Sequence, residues 1–185
     1  MNSYLALLRG VNVGGKGLLS MSELKNTLTT DGLSEVRTYI NSGNIIFSSA
    51  VTDTDKLAAL IRSSIEREHK LTVDVAVFSK SDWEQIIAAA PAWWGKDNTW
   101  KHNLLVMIRP HEPQDVITAI GQLKPEIEAI KVGDGVLYQS LSLASFGRTT
   151  VHKLVSSPVY KQMTIRNYNT ATKLVGLLGA TSREV

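Results

Sequence analysis

The chain has 185 residues, 43% hydrophobic and 20% charged, with no cysteine and a formal net charge of +3. This length holds one sizeable core or two small halves, and the composition excludes a disordered chain. Without cysteine there are no disulfides, thiolate metal sites or thiol chemistry, which fits a reducing cytoplasm; no apolar run approaches a membrane span.

The opening "SYLALLRG" is apolar on both alternating faces, as a central buried strand is, and the N-terminus therefore reads as a strand and not a signal peptide. "SMSELKNTL" starts a helix, with Ser20 as N-cap and Glu23 completing a capping box. "EVRTYI" and "NIIFSS" are strands joined by the tight turn "NSG", where Asn41 and Gly43 supply left-handed residues. "DTDKLAALIRSSIEREH" is an amphipathic helix with Leu57, Leu60, Ile61 and Ile65 on one side. "LTVDVAVFS" alternates, placing Leu71, Val73, Val75 and Val77 on one face of a half-exposed or edge strand. The order is βαββαβ, the split-βαβ pattern of a ferredoxin-like sheet.

A short helix follows, "SDWEQIIAAA", capped by Ser81 with Glu84 and stopped by Pro91. "PAWWGKDNTWK" is a loop. Then the pattern begins again: "HNLLVMIRP" as a buried strand, "PQDVITAIGQL" as a helix with Pro113 in its first turn, and "EIEAIKV" and "GVLYQSLS" as strands around "GDG". Overlaying the halves sets Arg9 against Arg109 and Gly43 against Gly135. The first half is then longer by 8 residues, and the simplest place for them is the glycine-rich loop "GVNVGGKG". "SFGRTTVHKLVSSPVYKQM" is partly helical, and "TIRNYNTATKLVGLLGA" reads as a closing helix. Tyr168, Ala171, Leu174, Val175 and Leu178 lie on one arc of it; Arg166, Asn169, Thr170 and Lys173 lie on the other. The fold class is α+β: two related split-βαβ halves with antiparallel or mixed sheets, and a C-terminal helical segment. The expected division is a first half at 1–79, a helix and Trp-rich linker at 80–101, and a second half with the C-terminal helices at 102–185.

The charge is unevenly placed. From Gly135 to Arg183 there is no acid, while Arg148, Lys153, Lys161, Arg166, Lys173 and Arg183 fall there with His152. No acid precedes Glu23 either, and that stretch carries Arg9 and Lys16. Like charges this close need counter-ions; a phosphate-bearing ligand is one, and water around a solvated basic surface is the alternative.

Gly10 to Gly17 is a near miss to a nucleotide-binding P-loop. It follows a strand and precedes a helix, but Gly17 stands where that motif needs a magnesium-holding Ser or Thr. The physics survives the mismatch: glycines allow close backbone approach, and successive N–H groups before a helix N-terminus cradle an anion. The alternative is a connection whose glycines only turn the chain. Ser42 and Asn44 either build the hairpin turn or donate to a ligand. The histidines His69, His102, His111 and His152 show no metal-ligand spacing, so no metal and no cofactor are expected. Trp93, Trp94 and Trp100 crowd the linker beside Lys96 and Lys101. They either stack bases or, as aromatic residues more often do, glue elements together or make a dimer contact.

"LLRGVNVGGKGLLSMSELKNTL", "VRTYINSGNIIFSS" and the late "TIRNYNTATKL" together resemble the bacterial family known as domain of unknown function 1697. The resemblance implies a small cytoplasmic bacterial protein of two related α+β halves, with no established activity. It carries over as shared motifs the glycine loop, Arg9, Lys16, the Ser42–Asn44 turn and the Arg166–Lys173 stretch.

Core packing does not call for residues of these types in three distant blocks, and a shared pocket accounts for them. The candidate anion or ligand site is Arg9, Gly10, Asn12, Gly14, Gly15, Lys16, Ser42, Gly43, Asn44, Arg166, Asn169 and Lys173. In it Arg9, Lys16, Arg166 and Lys173 neutralise phosphate, while Asn12, Asn44 and Asn169 orient the ligand. The function so read is binding of a phosphorylated small molecule, a nucleotide or a nucleic-acid end, with no membrane partner. Two other readings stay open: an interaction or scaffold protein, dimeric through an exposed sheet or Trp93, Trp94 and Trp100; and an enzyme on a phosphorylated substrate, for which no general base can be nominated.

Overall fold

The computed structural model describes residues 1–13 and 18–180. The strands are β1 (Asn2–Leu8), β2 (Ser34–Tyr39), β3 (Asn44–Ser49), β4 (Val75–Ser79), β5 (Trp100–Met107), β6 (Glu128–Val132), β7 (Val136–Ser142) and β8 (Met163–Asn167). The α-helices are α1 (Met21–Thr30), α2 (Thr54–His69), α3 (Lys80–Ala88), α4 (Pro113–Ile120), α5 (Val151–Ser156) and α6 (Tyr168–Gly179). Among the described residues the strands make two four-stranded antiparallel sheets, ordered β2-β3-β1-β4 and β6-β7-β5-β8. The fold is α+β, two similar split-βαβ halves with a closing helix. The compact units are Met1–Glu84 together with the chain from Leu174 onward, and Gln85–Lys173.

In the first unit β1 is central, and Tyr4 to Leu8 are all buried. Its even residues Tyr4, Ala6 and Leu8 share a core with Ile45 and Phe47 of β3, Leu24 and Leu28 of α1, and Leu57, Ile61 and Ile65 of α2. The tail of the alternating run behaves as its period demands: Val73 and Val75 enter that core, with Leu71 and Val77 packed against it. Helix α1 begins at the expected cap, with the Ser20 hydroxyl accepting from the Glu23 N–H. It ends at Asp31, whose carboxyl takes two bonds from Arg67 at 2.8 and 2.7 Å and one from Ser64. Those bonds, Ser64 first, hold Asp31 below the usual carboxylate range. Helix α3 is capped by Ser79 and not Ser81: the Asp82 N–H donates to the Ser79 hydroxyl, which donates to the Asp82 carboxyl at 2.6 Å. Both serines have a carboxylate three residues on, Asp82 and Glu84, but the helix already begins at Lys80, which puts Ser81 inside the first turn and leaves Ser79 as the cap.

In the second unit Leu105, Met107, Val116, Ile120, Leu137, Leu154 and Met163 form the core beneath α4 and α5. The closing segment is a strand before it is a helix. Residues 163–167 pair antiparallel with β5, Arg166 opposite Leu104 and Asn167 opposite Asn103. Helix α6 starts at Tyr168, where the Asn167 side-chain Oδ1 accepts from the Thr170 N–H at 2.8 Å. Arg166 therefore leaves the helical arc assigned to it, and Thr170 is buried.

Hydrogen bonds correct the overlay of the halves by one residue. The Leu8 N–H donates to Gly43 O at 2.8 Å, and the Met107 N–H donates to Gly135 O at 2.9 Å. Leu8 matches Met107, so Arg9 matches Ile108 and not Arg109. Twelve residues separate β1 from α1, against five between β5 and α4. The first half is longer by seven, and the extra residues lie in the glycine-rich connection.

Candidate ligand-binding sites

Two of the three motif blocks are built as one piece in the first unit. Val11 and Leu19 are core residues and anchor the two ends of the glycine loop. Asn12 ties those ends together: its amide donates to Leu19 O at 2.9 Å, and its carbonyl oxygen accepts from the Leu19 N–H at 2.8 Å. The same amide donates to Asn41 O at 2.9 Å, fastening the loop to the β2–β3 turn. Asn12 takes a left-handed backbone, φ 54, which asparagine tolerates. Gly10, at φ +69, has open space where a Cβ would stand. Gly14, Gly15 and Lys16 lie outside the described residues, between the exposed Val13 and Leu18.

The turn is tighter than its sequence suggests. Its left-handed residues are Ile40, φ 50, and Gly43, φ 74, and not Asn41. A β-branched residue there is strained by about 1–2 kcal/mol. Asn44 is fully buried, and its amide donates to Tyr39 O at 2.9 Å and to the Ser42 hydroxyl at 3.1 Å. The side-chain donors of Asn12 and Asn44 are thus spent on the frame. Arg9 is half-buried and its N–H donates to Asp74 O at 2.9 Å.

The third block lies in the second unit and divides. Asn169 and Lys173 are exposed, one helical turn apart on α6. Arg166 is only 5% exposed, and donates to the Thr164 hydroxyl at 2.8 Å and to Ile165 O at 2.9 Å. Burial pushes its guanidinium down to about 10, so it stays a cation at neutral pH. Phe78 holds the equivalent position in the first sheet, opposite Leu5 as Arg166 is opposite Leu104, and packs on Trp83. Sheet packing at this position is met by an aromatic residue and does not require an arginine.

The second unit also holds an open groove of about 880 Å³ between the linker turn at Gly95–Asn98, the start of β5 and the β8–α6 junction. Of the three linker tryptophans, Trp94 is glue: it is buried, donates from Nε1 to Asn103 O at 3.0 Å, and meets Tyr138 and Tyr168 edge-on. Trp100 lines the groove. Its placement was invisible in the sequence, where the three indoles read alike. Among the described residues no cluster of His, Asp and Glu is arranged to hold a metal ion, and no helix is long and apolar enough to cross a membrane.

The model of a family described as protein of unknown function (DUF1697) matches residues 1–138. A solved structure, that of the conserved bacterial protein SP0830 from Streptococcus pneumoniae, is similar over 96% of this chain and 98% of that one, with 31% sequence identity and a TM-score of 0.85. No curated protein matches the chain.

Proposed function

We propose, from the premise that the chain belongs to the DUF1697 family, that it is a binding module for a phosphate-bearing ligand seated on the glycine loop of residues 10–17. The observation that carries this reading is the closed base of the loop. Asn12 joins Leu19 and Asn41, so a seven-residue excess over the second half is held at both ends on buried anchors. A connection that only turned the chain would need no such frame; the other half manages with five residues. Glycine backbone, a lysine and the start of α1 are the chemistry of an anion cradle.

Calorimetric titration of the full chain with inorganic pyrophosphate at low salt tests this. Binding is expected, and Lys16→Ala weakens it about tenfold or more, the size of a lost charge-assisted contact. A single-stranded oligonucleotide binding through the same loop would show a much steeper loss with salt than pyrophosphate does. Equal affinity in wild type and Lys16→Ala removes the loop from the account.

A further inference from the structure

The groove in the second unit is held in shape before any ligand arrives. The His102 Nε2–H donates to Asp97 O at 2.7 Å, which leaves Nδ1 to accept from the Ser140 hydroxyl at 2.6 Å. The linker turn is thereby fixed to β5 and β7. On the facing wall the Tyr168 ring lies against Gly95, where a Cβ would come within 2.1 Å of it, and stands edge-on to Trp94 at 4.9 Å.

The lining mixes three chemistries that one simple ligand would not need together. Trp100 is half-buried and lines the groove, where its indole would serve as the stacking platform. Lys96 and Lys101 are exposed cations at the same groove, Lys101 being held over the Phe146 ring at 5.5 Å. Asp97 is the one carboxylate there. Asp97 is exposed; its Oδ1 accepts from the Thr99 N–H at 2.8 Å and the Thr99 hydroxyl at 2.6 Å, and its Oδ2 has no hydrogen-bond partner among the described residues. A bare phosphate would be repelled by that carboxylate, and an apolar ring would strand it. A ligand with a flat ring, an N–H donor on the ring and a phosphate satisfies all three.

We propose that this groove binds one nucleotide unit whose base carries an exocyclic amino group, the base on Trp100, the amine toward Asp97 and the phosphate toward Lys101 or Lys96. The proposal does not depend on the glycine loop, which lies in the other unit.

The test is calorimetry of the full chain with AMP, adenosine, purine riboside 5′-monophosphate, inorganic phosphate and a short single-stranded adenylate. AMP is expected to bind at least about tenfold tighter than inorganic phosphate and severalfold tighter than purine riboside 5′-monophosphate, which lacks only the amine. Trp100→Ala loses about tenfold or more for AMP and adenosine alike, as a lost stacking platform does, while Trp100→Phe keeps most of the affinity. Lys101→Ala, at an exposed position that leaves folding intact, weakens AMP and not adenosine. Asp97→Asn removes the preference for AMP over purine riboside 5′-monophosphate. The series is repeated in the Lys16→Ala background, where the loop contributes little, and adenosine, which has no phosphate, reads the groove alone, so failure here and failure of the loop proposal are told apart. An adenylate strand that binds tighter than AMP, with the excess lost in salt, assigns a strand end as the source; affinity equal to AMP assigns a free nucleotide. AMP binding no tighter than inorganic phosphate overturns the proposal, as does AMP affinity unchanged in both Trp100→Ala and Lys101→Ala.

Discussion

Gly43→Ala is expected to lower the unfolding free energy by about 3 kcal/mol, while Gly135→Ala at the matching turn costs about 1. Both glycines accept the first bond beyond a central strand, from Leu8 and Met107, and both have positive φ, +74 and +64. A side chain at either carries the left-handed backbone penalty. Only at Gly43 does it also collide: a Cβ would stand 2.6 Å from Leu8 Cβ and 2.7 Å from Val11 Cγ2. Leu8 and Val11 are core residues and cannot yield without moving β1 or the loop base. At Gly135 there is nothing within 4 Å. Urea unfolding of both variants at one temperature gives the comparison. Equal costs would mean that the glycine loop does not press on the turn. The loop base should shift with the turn, so Gly43→Ala also weakens pyrophosphate binding and Gly135→Ala does not.

Glu128→Ala should cost about 3 kcal/mol or more, because it strands donors that water reaches poorly. Glu128 is 1% exposed. One carboxyl oxygen accepts from the Lys124 N–H at 2.9 Å; the other accepts from the Thr150 N–H at 2.7 Å and the Thr150 hydroxyl at 2.9 Å. The side chain thus fixes both the turn leading into β6 and the start of α5. Glu128→Gln keeps an acceptor oxygen and should fall between wild type and Glu128→Ala. Denaturant unfolding checks the order. A Glu128→Ala protein as stable as wild type would show that these donors find other partners. Binding of pyrophosphate by the folded fraction should be unaffected, since the residue belongs to the frame of the second unit.

The elements most legible in the sequence were those whose signal is local. The run through Tyr4 to Leu8 is apolar on both faces and is the central strand; the Ser20 box starts α1; the alternation from Leu71 to Val77 enters the core. What was missed depends on partners far along the chain. Thr164–Asn167 read as the first turn of the closing helix, because Thr164 and Arg166 are polar and the helical spacing from Tyr168 extends backward past them. Pairing with β5 settles them as a strand, and that pairing carries Arg166 into the interior. The overlay slipped by one because "LLRG" and "MIRP" share an arginine, whereas register is set by backbone bonds to Gly43 and Gly135. Asn12 and Asn44 carried the right chemistry for a ligand. Asn12 instead bonds to residues seven and 29 positions away, and Asn44 closes its own turn. They are read best as positioning residues. The groove was hidden for the same reason: Trp94 and Trp100 differ only in what β5 and α6 bring against them.

The proposed function turns on phosphate binding at the glycine loop. Backbone amide NMR of the full chain, titrated with inorganic pyrophosphate, tests it most directly. The expected result is a set of saturating shifts concentrated at Gly10, Gly14, Gly15, Lys16 and the Ser42–Gly43 turn, lost in Lys16→Ala. Shifts spread over the exposed lysines of the second unit, with the loop glycines unmoved at saturation, would contradict it.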